Sequence, residues 1–187
     1  MNRNALKNVR IAELSKEELP FSRLTFRYFT KNYYAITVLR REDGWKIKLV
    51  LEELPERIEK RSEGGLFQDF VEEPRVFAAE CGGKQVAWIE LGFHEWNCRM
   101  RIWELLVKEG FRRKGIGTFL MDHAVELSRK RGARMLVVET QSCNVPAINF
   151  YLKNGFELIG FDVAAYSNED TERKEVRLEL GLKIKGN

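Results

Sequence analysis

Ile102-Trp103-Glu104-Leu105-Leu106-Val107 leads through a short turn into Arg112-Arg113-Lys114-Gly115-Ile116-Gly117, and a helical pattern follows from Thr118 to Arg131. An apolar strand, a turn of glycines and cations, and a helix together make an anion cradle. Glycine has no Cβ, so backbone N–H groups can approach an oxyanion closely. The first-turn N–H groups of a helix, and its dipole, favour negative charge at that end. Three consecutive cations add attraction at longer range. The guest this suggests is a phosphate-bearing cofactor. The plainer alternative is a glycine turn with solvated cations.

Two nucleotide signatures fail at this turn. A Walker loop reads G-x-x-x-x-G-K-[ST], whereas here a single residue separates the glycines and the lysine precedes them. A dinucleotide fingerprint needs a further glycine where this chain has Leu120. What remains is Arg-x-x-Gly-x-Gly at a strand-to-helix turn.

The chain has 187 residues, 44% of them hydrophobic and 32% charged, and its mean hydropathy is −0.39. This is a globular composition, and the length suits one domain over residues 1–187. No run of about 18 apolar residues occurs, so no membrane-spanning helix is expected. Met1-Asn2-Arg3-Asn4-Ala5 carries no apolar leader, and the expectation is a cytoplasmic protein. A net charge of +4 is too mild to point to nucleic acid. Cys81, Cys98 and Cys143 are odd in number and widely spaced, which gives neither a disulfide framework nor a metal knuckle. His94-Glu95 resembles the start of a zincin motif but has Cys98 where a histidine is required. With two histidines in all, no metal site is expected. His123 falls on the helix after the glycines, as a surface or cofactor-side residue.

Leu14 to Tyr34 reads as a helix-rich opening segment with Ser15-x-x-Glu18 as a capping box. Tyr33 to Arg40 reads as a strand, Asp43-Gly44 as a turn, and Trp45 to Leu51 as the hairpin partner. From Glu52 to Glu73 acids outnumber bases, and Pro55 and Gly64-Gly65 interrupt. The expectation is a loop, a short helix and a second loop. Its acids form either a solvated face or a rim that attracts a cationic substrate. Arg75 to Cys81 and Gln85 to Leu91 are strands around a Gly82-Gly83 turn, and Arg99 to Val107 is the next strand. Helical spacing marks Ile116, Phe119, Leu120, His123, Ala124 and Leu127, with Gly132 as the stop. Arg134 to Thr140 is a buried strand, Asn144 to Asn154 a helix closed by Gly155, and Phe156 to Gly160 and Glu175 to Leu180 complete the sheet. The class is α/β (α+β), with a mostly antiparallel first half. The two strands flanking the glycine helix are joined by a crossover, so they should run parallel.

With these residues in place, the chain resembles the GNAT superfamily of acyl-CoA N-acyltransferases. Val107-x-x-x-x-Arg112-x-x-Gly115-x-Gly117 carries the likeness at the loop. Asn144-x-x-Ala147-x-x-Phe150-Tyr151-x-x-x-Gly155-Phe156, preceded by Glu139-Thr140-Gln141, carries it more specifically. Trp96 through Tyr166 further resembles the streptothricin acetyltransferases of bacterial antibiotic resistance, through Trp96-Asn97, Glu139-Thr140-Gln141, Asp162 and Tyr166-x-Asn168. One departure is Ile102-Trp103-Glu104, where that family tends to carry Ile-Glu-Asp. The resemblance implies the GNAT fold: a central mixed, mostly antiparallel sheet of about seven strands flanked by helices, with a parallel pair splayed at the acyl-CoA site.

The resemblance also implies a site. The backbone of Leu105, Leu106 and Val107 would pair with the pantetheine arm of acetyl-CoA. Amides from Arg112, Arg113, Lys114, Gly115, Ile116, Gly117 and Thr118 would hold the pyrophosphate, with the Arg112 and Lys114 side chains in reach of phosphate. Asn144 would cap its helix or bond pantetheine, and Ala147, Phe150 and Tyr151 would line the cofactor. Tyr151 sits where the family places its general acid. The base is Glu104 or Glu139, with Glu90 a third option. A carboxylate of ordinary pKa near 4.3 is a weak base for an amine near 10, so a raised pKa or a water chain is required. Otherwise an acidic pocket only binds the ammonium and solvent takes the proton. Trp88, Phe93, Trp96 and Trp103, with Glu90, Asp162 and Tyr166, are candidates for the acceptor side. Individually each aromatic is more often core. An acidic, aromatic cleft suits a polyamine-like or β-lysyl amine of the kind streptothricin carries. A protein lysine or N-terminal amine is the alternative acceptor, and a non-catalytic acyl-CoA-binding module the alternative class. Dimers are common in the superfamily.

Overall fold

The crossover through the glycine helix does give a parallel pair. In the computed structural model, which describes residues 6, 8–19 and 23–185, β6 (Arg99–Val107) and β7 (Met135–Gln141) run parallel on either side of α1 (Ile116–Lys130). The remaining elements are β1 (Val9–Leu14), β2 (Arg23–Arg41), β3 (Gly44–Gly65), β4 (Arg75–Cys81), β5 (Lys84–His94), α2 (Val145–Lys153), β8 (Glu157–Asp162), α3 (Asp170–Arg173) and β9 (Arg177–Lys183). Seven strands form one mixed sheet in the order β1-β4-β5-β6-β7-β9-β8, while β2 and β3 pair as a separate ribbon. The expected mixed sheet with one parallel pair is therefore present. Among the described residues, no helix is long and apolar enough to cross a membrane.

The chain divides into two units, Met1–Phe26 with Ser62–Val138 and Leu182–Asn187, and Arg27–Arg61 with Glu139–Gly181. In the first, Leu14, Leu24, Leu66, Val76, Ala78 and Trp88 form a core against which Phe26, Phe67 and Leu106 pack. Helix α1 packs on β4, β5 and β6. It buries Ile116, Leu120, Met121 and Ala124, the one-face spacing that marked it in the sequence. His123 on this helix meets Phe77 edge-on, 4.5 Å between ring centres. In the second unit Ile36, Ile148, Val176 and Leu178 form the core, with Tyr34, Leu49 and Phe161 against it.

Two expectations fail in the first third of the chain. Leu14 to Tyr34 is not helix-rich. The Ser15–Glu18 capping box is real, with Glu18 Oε2 accepting the Ser15 N–H at 2.8 Å, but it caps one 3₁₀ turn (Lys16–Glu18). Glu52 to Gly65 is not a loop and a helix but the continuation of β3. Its acids are cross-strand partners of β2: Glu63 pairs with Arg23, Glu59 with Arg27, Glu53 with Lys31, and Glu52 accepts the Tyr33 hydroxyl. Opposite charges facing each other support the pairing of two strands that bury only scattered positions, Leu24, Ile36 and Leu54 among them. Pro55 is tolerated because a two-stranded ribbon leaves each strand one edge outside the ladder. Strand β1 and the single turn α3 were not expected.

Candidate active site

The turn after β6 has the backbone of an anion cradle. Phe111 closes a 3₁₀ turn (Glu109–Phe111), Arg113 takes a left-handed φ of 60°, and Gly115, the N-cap of α1, takes φ 88°. A Cβ at Gly115 would have open space, with Leu6 Cδ1 nearest at 3.8 Å, so the conformation requires glycine and the room does not. The first helical bond is from Phe119 N–H to the Gly115 carbonyl, 2.9 Å. The N–H groups of Ile116, Gly117 and Thr118 precede it and have no partner inside the helix. The cationic side chains of the turn also make contacts within the chain. Arg112 Nε donates to the Val107 carbonyl at 3.0 Å, bracing the end of β6, and Lys114 Nζ lies 5.2 Å from the Phe111 ring centre.

Upstream of the turn, β6 has different partners along its length. Its register with β7 runs from Arg99↔Met135 to Ile102↔Val138. Leu105, Leu106 and Val107 pair with Ile89, Trp88 and Ala87 of β5. Between these two stretches lies a β-bulge: Glu104 faces Glu90 and Ile102 faces Leu91, which leaves Trp103 as the extra residue. A bulge breaks the two-residue alternation, so Glu104 and Ile102 lie on opposite faces of the sheet.

Glu104 is thereby set beside Glu90. The Glu90 side chain is fully buried; its Oε1 accepts the Phe67 N–H at 2.6 Å, and its Oε2 is buried without a hydrogen-bond partner among the described residues. Burial raises the Glu90 pKa, against the Phe67 hydrogen bond. Glu104 is pushed up to about 7, first by burial and then by the charge of Glu90. That is the raised carboxylate an amine acceptor requires. Gly64 makes the room: a Cβ there would lie 2.6 Å from Glu104 Oε1.

The acceptor-side aromatics separate. Trp88 is core, its indole N–H donating to Gln85 Oε1 at 3.0 Å, and Phe93 is buried under Arg131. Trp96 is 83% exposed. Trp103 packs on Phe70 with ring centres 5.3 Å apart.

In the second unit, Asn144 caps α2, its Oδ1 accepting the Ala147 N–H at 3.3 Å. Tyr151 is buried between Phe150 and Phe156, ring centres 5.4 and 5.5 Å away. Glu139, at the end of β7, accepts the Tyr166 hydroxyl at 2.8 Å on Oε1, with Arg177 Nη1 at 3.9 Å from Oε2. Arg177 also reaches Asp162 Oδ2 at 3.5 Å. Burial and the neighbouring Glu139 charge raise the Tyr166 pKa, so this hydroxyl stays a donor. The structure thus joins Glu139, Asp162 and Tyr166 through Arg177. The sequence signal for Arg177 was a charge amid the apolar alternation of the last strand. Tyr28, also unexpected, places its hydroxyl 3.3 Å from Cys143 Sγ and 3.4 Å from Gln141 Oε1.

Known proteins carry this architecture. The model of the acetyltransferase (GNAT) family matches residues 30–156. An uncharacterized N-acetyltransferase of Methanocaldococcus jannaschii is 32% identical over 164 residues, 82% of this chain and 63% of that protein. Streptothricin acetyltransferase of Streptomyces lavendulae is 37% identical over 99 residues, 52% of either protein, so the chain matches about half the length of that curated relative. Among solved structures, a nourseothricin acetyltransferase aligns with TM-score 0.77 at 24% identity, over 96% of this chain and 100% of that one. A protein of Bacillus anthracis str. Ames assigned as a streptothricin acetyltransferase, in complex with acetyl coenzyme A, aligns with TM-score 0.71 at 22% identity, over 95% and 98%. At such identities the likeness is one of fold. The family match spans more than half of the chain, and the chain belongs to the acetyltransferase (GNAT) family.

Proposed function

We propose that this protein is an N-acetyltransferase that moves an acetyl group from acetyl-CoA to a primary amine, with the β-lysine amine of streptothricin as its leading acceptor. The observation that carries the reading is the run from β6 to α1. It combines a strand whose parallel register stops at Ile102, a left-handed Gly115 at the helix N-cap, and a carboxylate on that strand with a pKa of about 7. The residues fit acetyl-CoA. Leu105, Leu106 and Val107 would offer backbone groups to pantetheine as a neighbouring strand would, and the amides from Arg113 to Thr118 would take the pyrophosphate. Bound acetyl-CoA supplies the activated thioester.

Amine and thiol each need a proton handled. Glu104, half ionised near pH 7, is the group suited to relieve an ammonium of its proton. Tyr151 is the hydroxyl we assign to the departing sulfur, with Phe150 and Phe156 fixing its ring. Within the second unit, Glu139 and Asp162, gathered by Arg177 and Tyr166, would form a patch suited to a cationic amine. A cytoplasmic location suits this reading because acetyl-CoA is a cytoplasmic metabolite, and a single domain over residues 1–187 would carry it.

The test is thiol release from acetyl-CoA with purified protein and a panel of amines, with the product identified by mass. Release with streptothricin and acetylation of its β-lysine amine are expected. Release with a peptide lysine or N-terminus alone would replace the acceptor, and release with no amine would end the transferase reading. Tyr151→Phe should bind acetyl-CoA as the parent does and lose about 10²-fold or more in turnover; unchanged turnover would remove the acid role.

A further inference from the structure

The pairing of Glu90 with Glu104 is unusual for a folded core. Like charges at directly opposed sheet positions repel, and a buried carboxylate oxygen without a partner is costly. Two such acids persist where they share a proton. The surroundings hold both in place. Phe67, which gives its N–H to Glu90, takes a left-handed φ of 56°, strained for a phenylalanine. A side chain at Gly64 would collide with Glu104 and with Phe26, whose Cε2 lies 2.8 Å from the position of a Cβ. The bulge at Trp103 turns Glu104 onto the face of Glu90.

Glu90 is the charged group that acts on Glu104 from β5. The adjoining parts of β2 and β3 contribute Phe26 and Gly64. Of the charges that flank them in the chain, Arg23 and Glu63 pair with each other in solvent, 3.3 Å apart, and Arg27 pairs with Glu59 at 2.7 Å. On β6 itself, Arg101 lies over the Trp103 ring at 4.6 Å. Among the described residues no ion pair joins a cation to either carboxylate, so the pair is poised to take up positive charge from outside.

We propose that Glu90 and Glu104 form a one-proton acceptor for the ammonium of the substrate, in which Glu104 takes the proton and Glu90 is the positioning residue that keeps it basic. The proposal rests on the transferase reading above, and the substrate class it names is a primary amine that arrives charged. In the step, an N–H bond of the ammonium breaks and an O–H bond forms on Glu104. The nitrogen keeps the electron pair, which becomes the nucleophile. Glu104 ends as a neutral acid beside Glu90, which relieves the repulsion between them. Each unit by which Glu104 is raised makes this transfer tenfold less unfavourable.

The test is a carboxyl-carbon NMR titration of the full chain, run for the parent protein, Glu90→Gln and Glu104→Gln. Glutamine at 90 keeps an oxygen for the Phe67 N–H and removes the charge. One glutamate should titrate near pH 7, vanish in Glu104→Gln, and fall by about one unit or more in Glu90→Gln. The acid limb of kcat/KM against pH should fall with it, with the KM for acetyl-CoA unmoved. If Glu90→Gln does not fold, the parent curve still decides: acids that share a proton each show a step at both midpoints, so the Glu90 carboxyl carbon must respond near pH 7 and lose that step in Glu104→Gln. A Glu104 midpoint that ignores Glu90→Gln, or a Glu90 carbon silent near pH 7, in a protein that transfers acetyl normally, overturns the pair alone. Coupled midpoints without transfer to any amine overturn the transferase reading and the acceptor role together.

Discussion

Two carboxylates at strand positions of this protein have opposite surroundings. Glu104, on β6, is buried beside another acid, and no ion pair reaches it among the described residues. Glu139, at the end of β7, has a hydroxyl from Tyr166 on one oxygen and a guanidinium from Arg177 near the other. A carboxylate whose oxygens already receive donors is held in one orientation and serves to attract a cation. A carboxylate deprived of them holds its proton near neutrality and serves to exchange it. The sequence offered both as bases, and on the proposed reading their environments divide the work.

The largest test of that division is in turnover. Glu104→Gln should lower kcat by about 10²–10⁴-fold while acetyl-CoA still binds; a loss confined to KM would make Glu104 an anchor too. Next comes stability. The folded pKa of Glu104, about 7, lies above its ordinary 4.5. Its contribution to stability is therefore fully present below about pH 4.5 and lost as pH rises through 7. Glu104→Gln, neutral throughout, should be more stable than the parent at pH 8 by about 2–3 kcal/mol, and the gain should disappear near pH 4. Urea unfolding at the two pH values reads this, and an equal difference at both would contradict the raised pKa. Glu139→Gln should instead raise the KM of a polycationic amine by about tenfold, with kcat nearly kept, as for one exposed charge contact; a collapse of kcat would reverse the two roles. The smallest effect concerns the cradle both roles depend on. Gly115→Ala forces a side chain into φ 88° at about 1–2 kcal/mol, and calorimetry should show acetyl-CoA binding weakened by about tenfold. Unchanged affinity would separate the turn from cofactor binding.

Legibility followed the same local physics. From Arg75 to Asn154 the strands and helices lie within a few residues of their sequence bounds. There the apolar runs are buried and the punctuation is chemical: Gly82-Gly83, the Asn144 cap, and Gly132 and Gly155 after their helices. The ribbon of β2 and β3 was half hidden because it buries only scattered positions and pairs its surface charges across the strands, and charges at Glu53, Glu59 and Glu63 look like a loop until their partners are known. In the site, Tyr151, Asn144 and the glycine turn were legible as a motif. The pairing of Glu90 with Glu104 was not, because it depends on a one-residue bulge at Trp103, and a bulge leaves no mark in composition. Nor could the sequence show that Arg112 turns back to Val107 rather than outward.

The most direct measurement is kcat/KM against pH for amine acetylation by the parent protein, Glu104→Gln and Glu139→Gln. Glu104 as the base requires an acid limb near pH 7 that is lost in Glu104→Gln and kept in Glu139→Gln. A limb that survives in Glu104→Gln and disappears in Glu139→Gln would contradict the assignment.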